Sequence, residues 1–165
     1  WYAGDHGWQA RNQLYLEASE ALFRDAAAKA IAAAGLTADQ IDGVVTVSTT
    51  GIATPSLEAR CGPALGLRPD VRRVPVFGLG CAGGVNGLAT AARLAGAEPG
   101  SRWLFVCIET CSISIRLDSD DPAALVATAL FGDGAAAAVV GGDGRGIATI
   151  SNAAEKMWPD TLGIM

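Results

Sequence analysis

Hydrophobic positions along the chain switch between a helical and a strand-like period. Between residues 12 and 34, Leu22, Phe23, Ala26, Ala27, Ala30, Ile31 and Ala34 recur at helical spacing, and Gly35 supplies a stop. Thr37, with Gln40 three residues later, forms a capping box for a single short turn. Gly43 to Ser48 is a β-branched run too short for a helix, so it is predicted as a strand. Pro55-Ser56 opens a second helix that Gly66 closes. Val74 to Phe77 is a short strand, and Pro75 keeps it from being an ordinary central one. Val85 to Ala95 is a helix apolar on nearly every side, which predicts burial. Trp103 to Ile108 is an apolar strand of the kind found inside a covered sheet. Leu125 to Leu130 is helical, and Ala135 to Val140 and Ile147 to Ser151 are strands joined by a turn through Gly141 to Gly146.

Strands alternating with helices predict an α/β layered domain, with a mixed sheet because of that final hairpin. No repeat or linker interrupts it, so residues 1–165 are read as one domain. The 165 residues are 50% hydrophobic and 18% charged, which is enough apolar sequence for a real core. A mean hydropathy of +0.31 predicts that part of the surface is covered by a partner or a further segment. The net charge of -5 is the wrong sign for a nucleic-acid footprint. The richest apolar runs, Ala26 to Ala34 and Ala135 to Val140, fall well short of the ~20 residues of a membrane helix. Low charge and abundant aliphatic residues exclude disorder.

The chain opens at Trp1 without an initiator Met or an apolar leader, and closes on Trp158 to Met165 without a tail. Both ends read as cuts through a longer protein, and the missing leader predicts a cytoplasmic one. Cys61, Cys81, Cys107 and Cys111 are then expected as free thiols rather than a disulfide framework. Zinc needs about four ligands, and the only histidine, His6, is remote from Cys107 and Cys111, so no metal is expected.

Gly78-Leu79-Gly80-Cys81-Ala82-Gly83-Gly84 is the most unusual stretch. Gly78, Gly80 and Gly83 match a dinucleotide-binding fingerprint, with Glu109 ending the next strand where a ribose-binding acid could sit. A βα unit already precedes this turn, however, and a cysteine has no part in gripping pyrophosphate. The same glycines also permit a sharp strand-to-helix turn that lifts Cys81 above the sheet, a nucleophile elbow. A following helix would put the thiol at a positive end, where the thiolate is favoured and attack on a thioester is its natural chemistry. The plainer reading is a buried structural cysteine. The local pattern leaves those two open.

Gly80-Cys81-Ala82-Gly83-Gly84, followed fifty residues later by Leu130-Phe131-Gly132-Asp133-Gly134-Ala135-Ala136-Ala137, resembles the chalcone synthase-like type III polyketide synthases. Leu65-Gly66-Leu67-Arg68-Pro69 and Val106-Cys107-Ile108-Glu109 resemble the same family, and Trp158-Pro159-Asp160 is similar to its bacterial members. The resemblance runs from about residue 12 to the last residue. It implies a thiolase-like fold, of which this chain would be most of the amino-terminal α/β/α half.

The same resemblance implies roles for individual residues. Cys81 would be the acyl-accepting nucleophile, loaded from a coenzyme A thioester and extended with malonyl-coenzyme A. Phe131 would be the aromatic gate between the coenzyme A tunnel and the cavity, although without the resemblance it reads as a core residue beside a turn. Thr49 and Thr50 would line the cavity, or cap the strand that ends at Ser48. Cys111 and Ser114 match two more lining positions, where plant chalcone synthases resemble one another in carrying threonine. That departure puts a phenylpropanoid starter in doubt and is more like bacterial members that use fatty starters. Thr54 matches the side chain, often Met, that reaches across a dimer interface into the neighbouring cavity. Asp133-Gly134 is a tight-turn signal and is expected to be structural.

The family also draws a histidine and an asparagine from its second half, and basic coenzyme A-binding residues from upstream of Trp1. His6 lies on the wrong side of the cysteine and reads as an exposed residue near a frayed end. The 165 residues alone are therefore expected not to complete a condensation. The resemblance implies a homodimer and no resident cofactor, coenzyme A thioesters being substrates. An initiating β-ketoacyl carrier-protein synthase shares the cysteine chemistry and the Gly-Asp-Gly turn. The doubled glycine after Ala82 and the Leu-Phe before Gly132 favour the polyketide synthase. A non-catalytic partner with the same fold would have no need of Cys81.

Overall fold

The computed structural model describes residues 4, 6–115, 121–143 and 146–161. Trp1 and Leu162 to Met165, read above as cut ends, lie outside them, as do Gly144 and Arg145 of the expected final turn. The elements in chain order are α1 (Trp8–Ala33), β1 (Gly43–Val47), α2 (Leu57–Leu65), β2 (Arg72–Val76), α3 (Gly83–Ala97), β3 (Arg102–Thr110), α4 (Pro122–Leu130) and β4 (Asp133–Gly141). They form one four-stranded sheet in the order β2-β1-β3-β4. β1 runs parallel to both β2 and β3, and β4 runs antiparallel to β3.

The helix predicted from residue 12 begins four residues earlier, at Trp8, and Gly35 ends it at φ 68°. Its buried residues Tyr15, Ser19, Phe23, Ala27 and Ile31 recur every four positions, so one stripe faces the sheet. The Thr37 capping box forms, with the Thr37 N–H donating to Gln40 Oε1 at 2.9 Å. Gly66, at φ 82°, stops α2 as expected. β2 is an edge strand, which accommodates Pro75.

Two apolar layers hold the sheet. On one face Tyr15, Phe23 and Ile31 of α1 and Leu57 and Cys61 of α2 pack on Val44, Leu104, Val106 and Ile108. On the other, Ala91 and Ala95 of α3 pack on Val45, Val47, Trp103 and Phe105. Helices on both faces of a mixed sheet make the α/β/α layering expected from the sequence. No helix among the described residues is long and apolar enough to cross a membrane.

Two expectations need correction. Ile147 to Ser151 is not a strand, so no hairpin follows β4. The sheet is mixed because β4 itself lies antiparallel on β3. α3 is not buried all round either: Gly83, Gly87, Ala91 and Ala95 form its buried line, whereas Val85 is 76% exposed. An alanine- and glycine-rich helix reads as apolar on every side, although only one side touches this sheet.

Candidate active site

Cys81 sits where β2 gives way to α3, on a short 3-10 turn over Gly80–Ala82. Gly78 and Gly80 adopt φ values of 86° and 51°, which a side chain would strain, so the glycines on either side of Leu79 make the turn. Cys81 is solvent-exposed, not a buried structural thiol. The helix behind it lies very close to the sheet. A Cβ at Gly83 would stand 2.6 Å from Val47 Cγ1, and one at Gly87 would stand 2.4 Å from Val47 Cγ2 and 2.7 Å from Phe105 Cε2. These two glycines seat the amino-terminal half of α3 on β1 and β3, and so fix the height of Cys81 above the strand ends. Gly87 escaped the sequence reading, because a lone helical glycine carries no signal of what it packs against.

Around Cys81 opens a cavity of about 430 Å³. Thr49 and Thr50 reach it from the end of β1, Cys111 and Ser114 from a 3-10 turn after β3, and Phe131 from the end of α4. Six of the seven side chains singled out in the sequence thus meet at one place, at the carboxyl ends of parallel strands. Ala124, Ala127 and Thr128 of α4 form the remaining wall. Phe131 is 52% exposed, at the rim rather than in a core. Thr54 does not line this cavity; it is exposed in the loop before α2.

Glu109 also lines the cavity. Its carboxylate accepts the Thr49 N–H at 3.0 and 3.1 Å and the Thr50 N–H at 3.0 Å. The Thr50 hydroxyl in turn accepts the Thr110 N–H at 3.0 Å. Together these bonds lock the corner after β1 to the end of β3. Gly51 completes the corner, since a Cβ there would collide with the Tyr15 ring at 2.2 Å. Glu109 is therefore engaged with backbone amides, not poised for a ribose. Its acidic position at a strand end was visible in sequence, but its partners sit about sixty residues earlier, beyond any local pattern. The Thr49 hydroxyl is buried and has no partner among the described residues.

The thiols divide by environment. Burial raises Cys111 above the usual thiol range, and the charges of Glu109 and Asp133 and the neighbouring Cys81 add to the effect. Burial, then Glu109, raises Cys107. Cys61, under α1, is pushed up to about 11 by burial. Asp133 is not in a tight turn. It opens β4 opposite Thr110, and its carboxylate accepts the Ser112 N–H at 2.7 Å and hydroxyl at 2.5 Å, tying the Cys111 turn to β4. His6 is half-buried rather than exposed, and it does not line the cavity. No group of three or more metal-ligating side chains occurs among the described residues.

A profile of the family "Chalcone and stilbene synthases, N-terminal domain" matches residues 3–144. The chain belongs to that family. It is 43% identical over 165 residues to 1,3,6,8-tetrahydroxynaphthalene synthase of Streptomyces peucetius subsp. caesius, covering 97% of this chain and 44% of that one. It is 43% identical over 127 residues to type III polyketide synthase 10 of Oryza sativa subsp. japonica, covering 74% of this chain and 31% of that one. The crystal structure of 1,3,6,8-tetrahydroxynaphthalene synthase from Streptomyces coelicolor A3(2), a bacterial type III polyketide synthase, superimposes with a TM-score of 0.89 at 32% identity. That match covers 94% of this chain and 44% of the other. The fold is the thiolase-like one expected from the glycine motifs. The chain spans less than half the length of the curated relatives it matches.

Proposed function

We propose that this chain is the nucleophile-bearing part of a type III polyketide synthase. It would load an acyl-coenzyme A starter on Cys81, extend it by decarboxylative condensation with malonyl-coenzyme A, and release a cyclised product. The observation that carries this reading is the convergence of Cys81, Thr49, Thr50, Cys111, Ser114 and Phe131 on one cavity of about 430 Å³. The exposed Sγ attacks the starter thioester carbonyl; the carbon–sulfur bond to coenzyme A breaks, and coenzyme A leaves as thiol. Loss of carbon dioxide from malonyl-coenzyme A leaves a carbanion, which attacks the acyl-Cys81 carbonyl. A carbon–carbon bond forms, and the Cys81 thiolate is returned.

Phe131, at the rim, separates the coenzyme A approach from the interior, where the growing chain meets Thr49, Cys111 and Ser114. The walls around Cys111 and the alanines of α4 suit an aliphatic starter better than a phenylpropanoid one. No resident cofactor is called for, and the working unit is a homodimer in which Thr54 faces the neighbouring cavity. No histidine lines the cavity among the described residues, so a second group that holds the thioester oxygen comes from outside them.

The test is turnover by the protein of the full reading frame with labelled malonyl-coenzyme A and a series of acyl-coenzyme A starters. Labelled polyketide that disappears in Cys81→Ala supports the reading. A wild-type protein that uses only carrier-protein-bound malonyl, or makes nothing, contradicts it. The isolated 165 residues are expected to yield no polyketide.

A further inference from the structure

A second cavity, of about 210 Å³, lies on the α1 and α2 side of the sheet, between the ends of β1 and β2 and the first turn of α2. Five side chains bring oxygen to it: Tyr15, Thr46, Ser48, Ser56 and Glu58. The rest of its wall is aliphatic and aromatic. Glu58 is only 2% exposed and Thr46 only 4%. Ser56 Oγ donates to Glu58 Oε1, whereas Glu58 Oε2 and Thr46 Oγ1 are buried with no partner among the described residues. A buried carboxylate oxygen left unpaired is costly, because nothing offsets the loss of its water.

The groups around it are already committed. The Tyr15 hydroxyl donates to Ser48 Oγ at 2.9 Å, and burial, with the charges of Glu109 and Glu58, holds that phenol above its ordinary pKa. Tyr15 has thus given its one proton to Ser48, as Ser56 has given its own to Glu58 Oε1. The arginines packed nearby are engaged as well: Arg60 and Arg24 pair with Glu20, and Arg11 binds the carbonyls of His6 and Ile113. What is left at the cavity is mostly oxygen lone pairs, the donor set of a cation site.

We infer that this cavity binds a monovalent metal cation, sodium or potassium, through Glu58 Oε2 and Thr46 Oγ1, with hydroxyl oxygens and water completing its shell. All the available ligands are hard oxygens, and only one of them is a carboxylate. One negative charge balances one positive charge in a place where charge is poorly screened. A divalent ion would leave an excess charge buried, and no group of three or more Asp, Glu, His or Cys side chains among the described residues offsets it. The volume admits an ion with some of its water. Thr46 is paired with Pro75 where β1 and β2 end; β1 runs on to Thr49 and Thr50, and β2 to the Cys81 turn. A cation here pins the first turn of α2 to both strand ends. Neither Glu58 nor Thr46 lines the cavity around Cys81, so ion binding is independent of the polyketide chemistry proposed above.

The experiment follows thermal unfolding of the full-reading-frame protein, dialysed into tetramethylammonium chloride and titrated with NaCl or KCl at constant chloride. Wild type is compared with Glu58→Gln and Thr46→Val, each close in shape to the residue it replaces. One of the two metal ions is expected to raise the wild-type melting temperature by at least about 2 °C and to saturate, and both variants are expected to lose that rise. The ion with the larger shift is the occupant. Crystals of the wild type soaked in thallium(I) acetate, free of chloride, are expected to show an anomalous peak between Glu58 and Thr46, a result that needs no variant to fold. Equal melting temperatures in the three salts, or a rise that persists in both variants, overturn the site. So does thallium found only at exposed carboxylates or nowhere.

Discussion

The carboxylate of Glu109 accepts the backbone N–H of Thr49 through both its oxygens, at 3.0 and 3.1 Å. A side chain at the end of β3 thereby holds the corner that leaves β1, and both border the cavity that contains Cys81. Glu109→Gln keeps the size but turns an amide NH2 towards donors and removes the charge. The expected loss of stability is about 1.5–3 kcal/mol, read from denaturant unfolding. The Glu109 charge also raises Cys107 and Cys111, so its removal lowers both thiols and speeds their alkylation at fixed pH. Unchanged alkylation rates in Glu109→Gln would contradict that coupling.

Gly87 sets how closely α3 approaches the sheet. Gly87→Ala would place a methyl 2.4 Å from Val47 Cγ2, and both neighbours, Val47 and Phe105, are buried. The change is expected to destabilise by roughly 1–3 kcal/mol and to slow acylation of Cys81 by lifting α3. Adding Val47→Ala removes the closer of the two clashes but leaves Phe105 Cε2 at 2.7 Å, so the double variant is expected to recover acylation only in part. A Gly87→Ala protein with wild-type melting temperature and acylation rate would show that the close approach is not what positions the thiol.

Much of this was legible in the sequence because local chemistry fixed it. The stops at Gly35 and Gly66, the Thr37 capping box and the glycines around Cys81 each act within a few residues. Pro75 likewise announced an edge strand. Three features were not legible. The 147–151 segment carries the β-branched residues Ile147, Thr149 and Ile150 like a strand, but a strand exists only where another pairs with it. The burial of α3 depends on which side meets Val47 and Phe105, and alanine and glycine look alike on all sides. The binding of Glu109 to Thr49 and Thr50 joins residues about sixty positions apart, where only the parallel pairing of β1 and β3 supplies the contact.

The four thiols are expected to separate under limiting iodoacetamide. Cys81 is exposed and is alkylated first, while Cys111 and Cys107, raised by burial and by Glu109, follow. Cys61, raised to about 11, offers about one thiolate in a thousand at pH 8 and reacts last. Burial disfavours the charged thiolate, so raising the pH accelerates Cys61, Cys107 and Cys111. Peptide mapping over time checks the order, and early labelling of Cys61 would contradict the packing of α1 over it.

The central claim is that Cys81 accepts the acyl group. Its most direct test is the intact mass of the full-reading-frame protein after exposure to a panel of acyl-coenzyme A thioesters, with malonyl-coenzyme A withheld. The account predicts one acyl adduct, mapped to the peptide that carries Cys81 and absent from Cys81→Ala. An adduct on Cys111 or Cys107, or a Cys81 thiol left free by every thioester, would contradict it.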